Sequence, residues 1–363
     1  QLLLRDLEEV TRPPGGPDER PGLSAQAAVH AFSALGIVAQ TAATFLGLLL
    51  VTFLIGRVLP IDPVLAAVGE RASADVYEKV RIELGLNLPL HVQFWNYAVK
   101  VFHGDLGRSV LTANPVLSDI RRVFPATLEL ATLGTLFGVA FGVPIGVVAA
   151  ARRGRWIDRV ARVVALTGYS VPIFWLGLMG LLLFYARLGW VQGPGRLDVA
   201  YEDLVAPLSG ALLLDSALRG EWEVFKNAFG HIVLPAAVLG WLSLAYISRM
   251  TRSFLLAELS QEYVTTARAK GLSETAVIVR HALRNALVPL VTVIALSYAS
   301  LLEGSVLTET VFAWPGLGMY ITNSLLSADM NAVLGGTLVV GCVFIGLNLV
   351  SDLAYRVIDP RVR

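Results

Sequence analysis

The chain has 363 residues, 55% of them hydrophobic and 16% charged, with a mean hydropathy of +0.65 and a net charge of +1. A soluble domain carries about 25% charged residues, so most of this chain has an apolar solvent, and a charge near zero gives no reason to expect nucleic acid as a partner. A single cysteine, Cys342, lies inside an apolar run, which excludes a disulfide framework or a zinc site built from thiolates.

The first 30 residues read as an extension, placed in the cytoplasm by the charge argument below. Residues 1–10 are mixed, and the Pro- and Gly-rich stretch 12–22 reads as a linker. Runs of about 20 apolar residues, the length that crosses hydrocarbon as a helix, then follow. Six are expected, near 31–59, 126–150, 160–188, 232–250, 286–307 and 333–355. The first is too long for a signal-peptide core. Residues 60–123 are not a span. Ala74 to Leu84 favours a helix capped by Ser73 and stopped by Gly85, and His91 to Phe102 is apolar on one side. This predicts a small helical cap outside the membrane, either a partner surface or a simple lid. Residues 124–356 form the core, with a polar loop at 251–285 and a tail at 357–363.

Charge placement sets the orientation. Arg152, Arg153, Arg155 and Arg159 follow the second span. Arg249, Arg252, Arg268, Lys270, Arg280 and Arg284 follow the fourth, and Arg356, Arg361 and Arg363 end the chain. The stretch 309–331 has neither Lys nor Arg. The positive-inside rule then places both termini in the cytoplasm. Trp156, Trp190 and Trp314 fall near expected span ends, where indoles favour the headgroup region.

The chain's chemistry is sparse. A phosphate-binding loop needs Gly-x-x-x-x-Gly-Lys-Ser/Thr, because backbone amides and the lysine cradle the phosphates. Lys79, Lys100, Lys226 and Lys270 are followed by Val, Val, Asn and Gly, so none fits. The five histidines are scattered and read as structural. An ion-coupled carrier would keep ionisable groups inside the membrane. Glu129, Glu303 and Asp352 are the candidates, and each falls toward a span end, where interfacial solvation accounts for it.

The loop after the fourth span reads Glu262-Tyr263-Val264-Thr265-Thr266-Ala267-Arg268-Ala269-Lys270-Gly271-Leu272. It has no Pro or Gly before Gly271, so a helix is expected. Tyr263, Ala267 and Gly271 at i, i+4 and i+8 would share one face, small enough for another backbone to approach. Gly271 suits a left-handed stop, Ser273 a new cap, and Pro289 a bend early in the fifth span. The pattern proposes a rigid helix–turn–helix lever; a solvated amphipathic loop explains it equally well.

This loop resembles the coupling loop of bacterial ABC importer permeases. Other stretches are similar to the dipeptide/oligopeptide permease family, over about residues 46–363. They are Leu59-Pro60-Ile61-Asp62-Pro63, Phe102-His103-Gly104-Asp105-Leu106-Gly107, Ala126-Thr127-Leu128-Glu129-Leu130, Thr167-Gly168-Tyr169-Ser170-Val171-Pro172 within 165–175, Arg249-Met250-Thr251-Arg252-Ser253, Thr308-Glu309-Thr310-Val311-Phe312-Ala313-Trp314-Pro315-Gly316-Leu317-Gly318 and Asp359-Pro360-Arg361-Val362-Arg363. The closest likeness is to the first of two permease subunits of a dipeptide importer. The chain departs from the family at Ile61, where Gly is more usual, at Glu303, where a small residue is usual, and in its N-terminal extension.

The resemblance implies an all-α membrane protein of about six spans with the type I ABC importer permease fold, in a bacterial inner membrane. It implies a second homologous permease subunit, two ABC ATPase subunits that bind ATP and Mg, and an extracytoplasmic peptide-binding protein. No cofactor and no catalytic residue are expected in this chain. Glu262, Tyr263, Ala267, Arg268, Gly271, Leu272 and Pro289 would couple to the ATPases. Tyr169, Ser170, Phe174 and Ser297, polar or aromatic within apolar spans, are candidates for the pore lining or for helix packing. Importers of metal chelates, glutathione or haem-like solutes share the pattern, and an ion-coupled carrier is the remaining alternative.

Overall fold

The structure, a computed structural model, describes residues 23–58, 63–69, 71–83, 85–202, 204 and 207–358. The family-like stretches at 59–62 and 359–363, and most of the extension, lie outside the described residues. Two units separate, residues 1–47 and 48–363. In the first, the described part is the start of helix α1, Leu23–Val58, whose 38–57 segment is long and apolar enough to cross a bilayer. Among the described residues no β-strand forms, only an isolated bridge between Arg108 and Pro115.

The larger unit is built from helices throughout. Short helices α2 (Pro63–Val68), α3 (Ala74–Glu83) and α4 (Leu90–Phe102) follow α1. Gly85, at φ +68, stops α3. Helix α5, Val116–Ala151, begins ten residues before the expected second span and carries Pro125 and Pro144 internally. Helix α6 (Trp156–Ser170) and helix α7 (Ile173–Gly180, continued as a π-helix over Leu181–Arg187) occupy the expected third span. They do not form one straight rod, because they meet at 101°. Val171 precedes Pro172, and proline disfavours a helical conformation in the residue before it; Val171 is accordingly extended, at φ −93 and ψ 122.

A short helix α8 (Leu212–Arg219) precedes α9, Trp222–Leu259, which also begins ten residues before the expected span. Helix α10 (Glu262–Ala269) and a turn of helix α11 (Glu274–Ala276) lead through a π-turn, Val277–Ala282, into α12, Leu283–Val311. Helices α13 (Leu317–Leu326) and α14 (Met330–Ile358) complete the described chain. Among the described residues five helices are long and apolar enough to span a membrane, or six with the bent pair as one.

The core is the packing of α5 on α9. Gly134, Gly138, Gly142 and Gly146 recur every four residues and so line one face of α5. Their neighbours on α9 advance in step: Gly240, Ser243, Ile247 and Thr251. The two helices therefore run parallel, and α12 runs against them, since Leu301 lies near Gly134 while Ser297 bonds Ser243 at 2.8 Å. Loops 152–155 and 260–282 consequently share one end of the bundle, and 188–221 and 312–329 share the other. In a membrane, where lipid tails are as apolar as leucine, such small residues permit backbone approach that larger ones forbid. A Cβ at Gly138 would stand 2.3 Å from Ser243 Oγ, whereas one at Gly47 meets nothing within 4 Å. Gly138→Val is expected to lower the thermal unfolding midpoint in detergent strongly, by overpacking worth roughly 1–3 kcal/mol or more, and Gly47→Val to leave it nearly unchanged.

Several polar groups anchor the bundle ends. Asp158, 1% exposed, accepts both Nε (2.7 Å) and Nη2 (3.0 Å) of Arg252, tying α6 to the end of α9. At the opposite end Glu129 is not an interfacial carboxylate. It is buried, accepts Arg196 Nη2 at 2.5 Å and the Leu213 N–H at 2.7 Å, and so fastens the 188–221 segment onto α5. Trp314, expected in the headgroup region, is 1% exposed, with its indole N–H on the Ala126 carbonyl at 2.9 Å.

Candidate functional site: the elbow between α9 and α12

The polar segment after α9 folds as an elbow standing beyond the apolar helices. Gln261, extended at ψ 151, starts α10, and Ser260 ends α9. Gly271, at φ +80, turns the chain. A left-handed residue of this kind closes a helix without the Cβ clash that other residues meet. Ser273 Oγ then accepts the Ala276 N–H, capping the next turn.

One side of the elbow is a seat. Val264 and Ala267, one turn apart on α10, bury themselves against Ala150, Leu255, Val277 and Ala282. The other side is polar and open: Glu262, Tyr263, Thr266, Arg268, Lys270, Gly271 and Leu272 are exposed. Tyr263, Ala267 and Gly271 therefore do not make one accessible face. Ala267, 6% exposed, holds α10 onto its own chain, which is a correction to the face read from i, i+4 spacing. No heavy atom lies within 4 Å of where a Gly271 Cβ would stand, so the space above the turn is free.

Two polar contacts stiffen the outer side. The Arg268 guanidinium donates to both carboxylate oxygens of Glu274, at 2.7 and 3.2 Å, spanning the Gly271 turn. Such a fork fixes geometry as well as charge, although solvent screens an exposed pair and it adds little stability. The Tyr263 hydroxyl donates to Glu258 Oε2 at 2.6 Å. Partial burial, then that bond, push the phenol above its ordinary range. Glu274 was not singled out in the sequence; its signal is an acidic residue just past a Gly–Leu–Ser stop, six residues after an arginine. Beyond the π-turn, α12 continues without interruption through Pro289, which is half-buried. From the elbow α12 therefore runs on as one helix of 29 residues.

The pore-lining candidates separate. Tyr169 is half-exposed beneath the Arg249 guanidinium, 5.1 Å from its ring, and Phe174 is equally exposed. These two flank the α6–α7 break. Ser170 is exposed but returns its hydroxyl to the Leu166 carbonyl at 3.0 Å. Ser297 is 4% exposed and bonded to Ser243, so it joins α12 to α9 rather than lining a passage, which corrects that candidate. Glu303 is exposed on α12, and Asp352's side chain lies outside the described residues.

A second constellation was quoted in the sequence only as a family-like stretch. Glu309, 0% exposed, accepts Thr127 Oγ1 at 2.7 Å, Ser305 Oγ at 3.1 Å and the Met319 N–H at 2.9 Å. It organises the 312–318 turn at the end opposite the elbow. Among the described residues no group of three His, Cys, Asp or Glu could hold a metal ion.

Residues 142–363 match the family described as binding-protein-dependent transport system inner membrane component, and residues 36–131 match its N-terminal region. The chain is 45% identical over 316 residues to the probable D,D-dipeptide transport system permease protein DdpB of Escherichia coli (strain K12), covering 87% of this chain and 93% of that one. It is 44% identical to the dipeptide transport system permease protein DppB of the same strain, covering 91% and 97%. It is 43% identical to the di/tripeptide transport system permease protein DppB of Pseudomonas aeruginosa (strain UCBPP-PA14), covering 88% and 95%.

Proposed function

The chain belongs to the binding-protein-dependent transport system inner membrane component family, and from that premise we propose that it carries dipeptides or short oligopeptides across a bacterial inner membrane. It is a multi-pass permease subunit of an ABC importer. The cargo is supported by relatives at 43–45% identity, which are dipeptide or di/tripeptide permeases over nearly their whole lengths.

The partners follow from what one chain lacks. A second homologous permease completes the pore, and two ABC ATPase subunits bind ATP and Mg, because none of the four lysines here lies in a phosphate-binding loop. An extracytoplasmic binding protein delivers the peptide. Both termini and the elbow face the cytoplasm, since the basic loops at 152–155 and 260–282 share one end of the bundle. This chain itself holds no cofactor and no catalytic residue.

The observation that carries the mechanism is the elbow. Glu262, Tyr263, Arg268, Gly271 and Leu272 form an exposed surface, and Val264 and Ala267 fix that surface to the ends of α5, α9 and α12. When the ATPases close on ATP, a docked elbow must move with them. Because α10 is continuous in packing with α12, the motion reaches the spans as a shift between two states, and the passage opens alternately to each side.

The test is reconstitution. The tagged chain, purified in gentle detergent with its co-purifying subunits, is placed in liposomes with binding protein inside or outside. Expected is dipeptide uptake that needs ATP, and ATP turnover that vanishes from the chain alone. Turnover by the isolated chain contradicts the partner assignment. ATP-driven uptake of glutathione or a metal chelate, with no peptide uptake, overturns the cargo.

A further inference from the structure

A cavity of about 250 Å³ lies at the end of the bundle opposite the elbow, where α1 finishes and α14 begins. Arg57 and Lys100 line it, together with Gln93, Asn96, Tyr97 and Asp105. Helix α4 forms its roof. The inner side of α4 packs on α1, with Phe94 edge-on to Phe53 at 5.5 Å and Tyr97 bonded to Thr52 at 3.0 Å. Its outer side exposes Leu90, Trp95 and Val99, an amphipathic arrangement that suits a helix lying in the plane of the bilayer surface. Below the cavity, α1 exposes Leu50, Leu54 and Ile55 within its membrane-spanning segment. The opening thus lies where the membrane-length segment of α1 ends, with apolar helix surface running from it back along α1.

The polar groups are unbalanced in a specific way. Among the described residues neither Arg57 nor Lys100 has a carboxylate within 4 Å, and the Arg57 guanidinium rests over the Phe53 ring at 5.4 Å. Two cations line the wall against the single carboxylate of Asp105, and neither is paired with it, which leaves both free to meet a phosphate. Gln93 supplies an independent sign. It is 9% exposed, and its amide N–H₂ donates to the Leu86 and Leu88 carbonyls at 3.3 and 2.7 Å. Those two bonds fix which way the amide points, and they leave Oε1 buried with no partner. A buried acceptor left unmet costs free energy, so its natural complement is a donor brought by a ligand. The Asp105 carboxylate on the same wall can accept a second such donor.

We propose that this cavity binds the headgroup of a glycerophospholipid that pairs a phosphodiester with a hydrogen-bond donor, its phosphate against Arg57 and Lys100 and its donor toward Gln93 Oε1 and Asp105. Phosphatidylethanolamine fits both halves, through its ammonium; phosphatidylcholine offers the phosphate but no donor. The bound lipid lies between the first and last spans, outside the α5–α9–α12 core, and holds α4 against them. The assignment is independent of which solute the importer carries.

The experiment uses the whole purified importer. Native mass spectrometry counts lipids retained after exchange into detergent with phosphatidylethanolamine, phosphatidylcholine or inorganic phosphate. Expected is retention of phosphatidylethanolamine on the wild type, at least tenfold less on Lys100→Gln combined with Arg57→Gln, and weaker retention of phosphatidylcholine. Lys100→Gln alone changes one exposed side chain and cannot unfold the protein, so it too must reduce retention. Equal retention by wild type and both variants overturns the site. Phosphatidylcholine bound as well as phosphatidylethanolamine overturns the donor half. Displacement of the lipid by millimolar inorganic phosphate identifies the source as free phosphate and overturns the lipid assignment.

Discussion

Glu309→Leu is expected to destabilise the importer more than any substitution of similar size elsewhere in α12. The wild-type carboxylate is fully buried and accepts three donors: Thr127 Oγ1, Ser305 Oγ and the Met319 N–H. Thr127 Oγ1 itself accepts the Leu317 N–H at 2.7 Å, so the carboxylate, one residue of α5 and the start of α13 form a single network. Leucine removes the acceptor and leaves the donors in place. Ser305 Oγ can turn to the Leu302 carbonyl, also 3.1 Å away, so two donors are orphaned, each at a cost of roughly 1–3 kcal/mol, about 2–6 kcal/mol together. Glu309→Gln separates shape from chemistry. It keeps one oxygen for the two hydroxyls but turns an N–H₂ toward the Met319 N–H, so it should cost roughly 1–3 kcal/mol. Thermal unfolding midpoints in the order wild type, Gln, Leu support the network; coincident midpoints refute it.

The same network explains the glycines of the turn. A Cβ on Gly316 would meet the Glu309 carboxylate at 2.5 Å, and one on Gly318 would meet Val306 Cα at 2.7 Å. The backbone closes around the carboxylate so tightly that no side chain fits between them. The family-like stretch from Thr308 to Gly318 is therefore one packing unit, with Trp314 as its anchor on the Ala126 carbonyl.

How much of this was legible depended on the range of the interaction. Apolar runs of membrane length mark five of the spans, because crossing hydrocarbon is a property of a segment by itself. The helix ends were less legible. Val116 and Trp222 start α5 and α9 well outside the hydrocarbon run, where Val116, Asp119 and Val224 are already buried against the rest of the chain. The break after Ser170 had a local signal in Pro172, but no local signal gave its angle of 101°. Gly271 and Ser273 were legible as stop and cap, because left-handed geometry and capping are local. Ala267, Ser297, Glu129 and Trp314 were misplaced for one reason. Each is satisfied by a partner distant in sequence, Val277, Ser243, Arg196 and the Ala126 carbonyl respectively, and periodicity within a helix carries no information about the other side of a contact.

Gly271→Trp is expected to reduce ATP-driven uptake at least tenfold while the protein stays folded in the membrane. Gly271 has φ +80, so any replacement meets backbone strain of roughly 1–2 kcal/mol. That strain is local. The seat of α10 is Val264 and Ala267, and the turn is further held by Arg268 and Glu274, none of which lies within 4 Å of a Cβ at 271. No atom beyond the adjacent residues lies within 4 Å of where that first side-chain carbon would stand. Under the docking proposed above, an ATPase lies against Glu262, Arg268 and Leu272, and the indole stands in its way. Gly271→Ala carries the same strain with almost no volume. Uptake lost in the Trp variant and largely kept in the Ala variant, at equal membrane abundance, means the surface is occupied by a partner. Uptake lost in both means that the left-handed turn, not the free volume, is what coupling needs. Uptake kept in both would leave the elbow with no role in coupling, and the motion of the spans would have to be driven through another part of the chain.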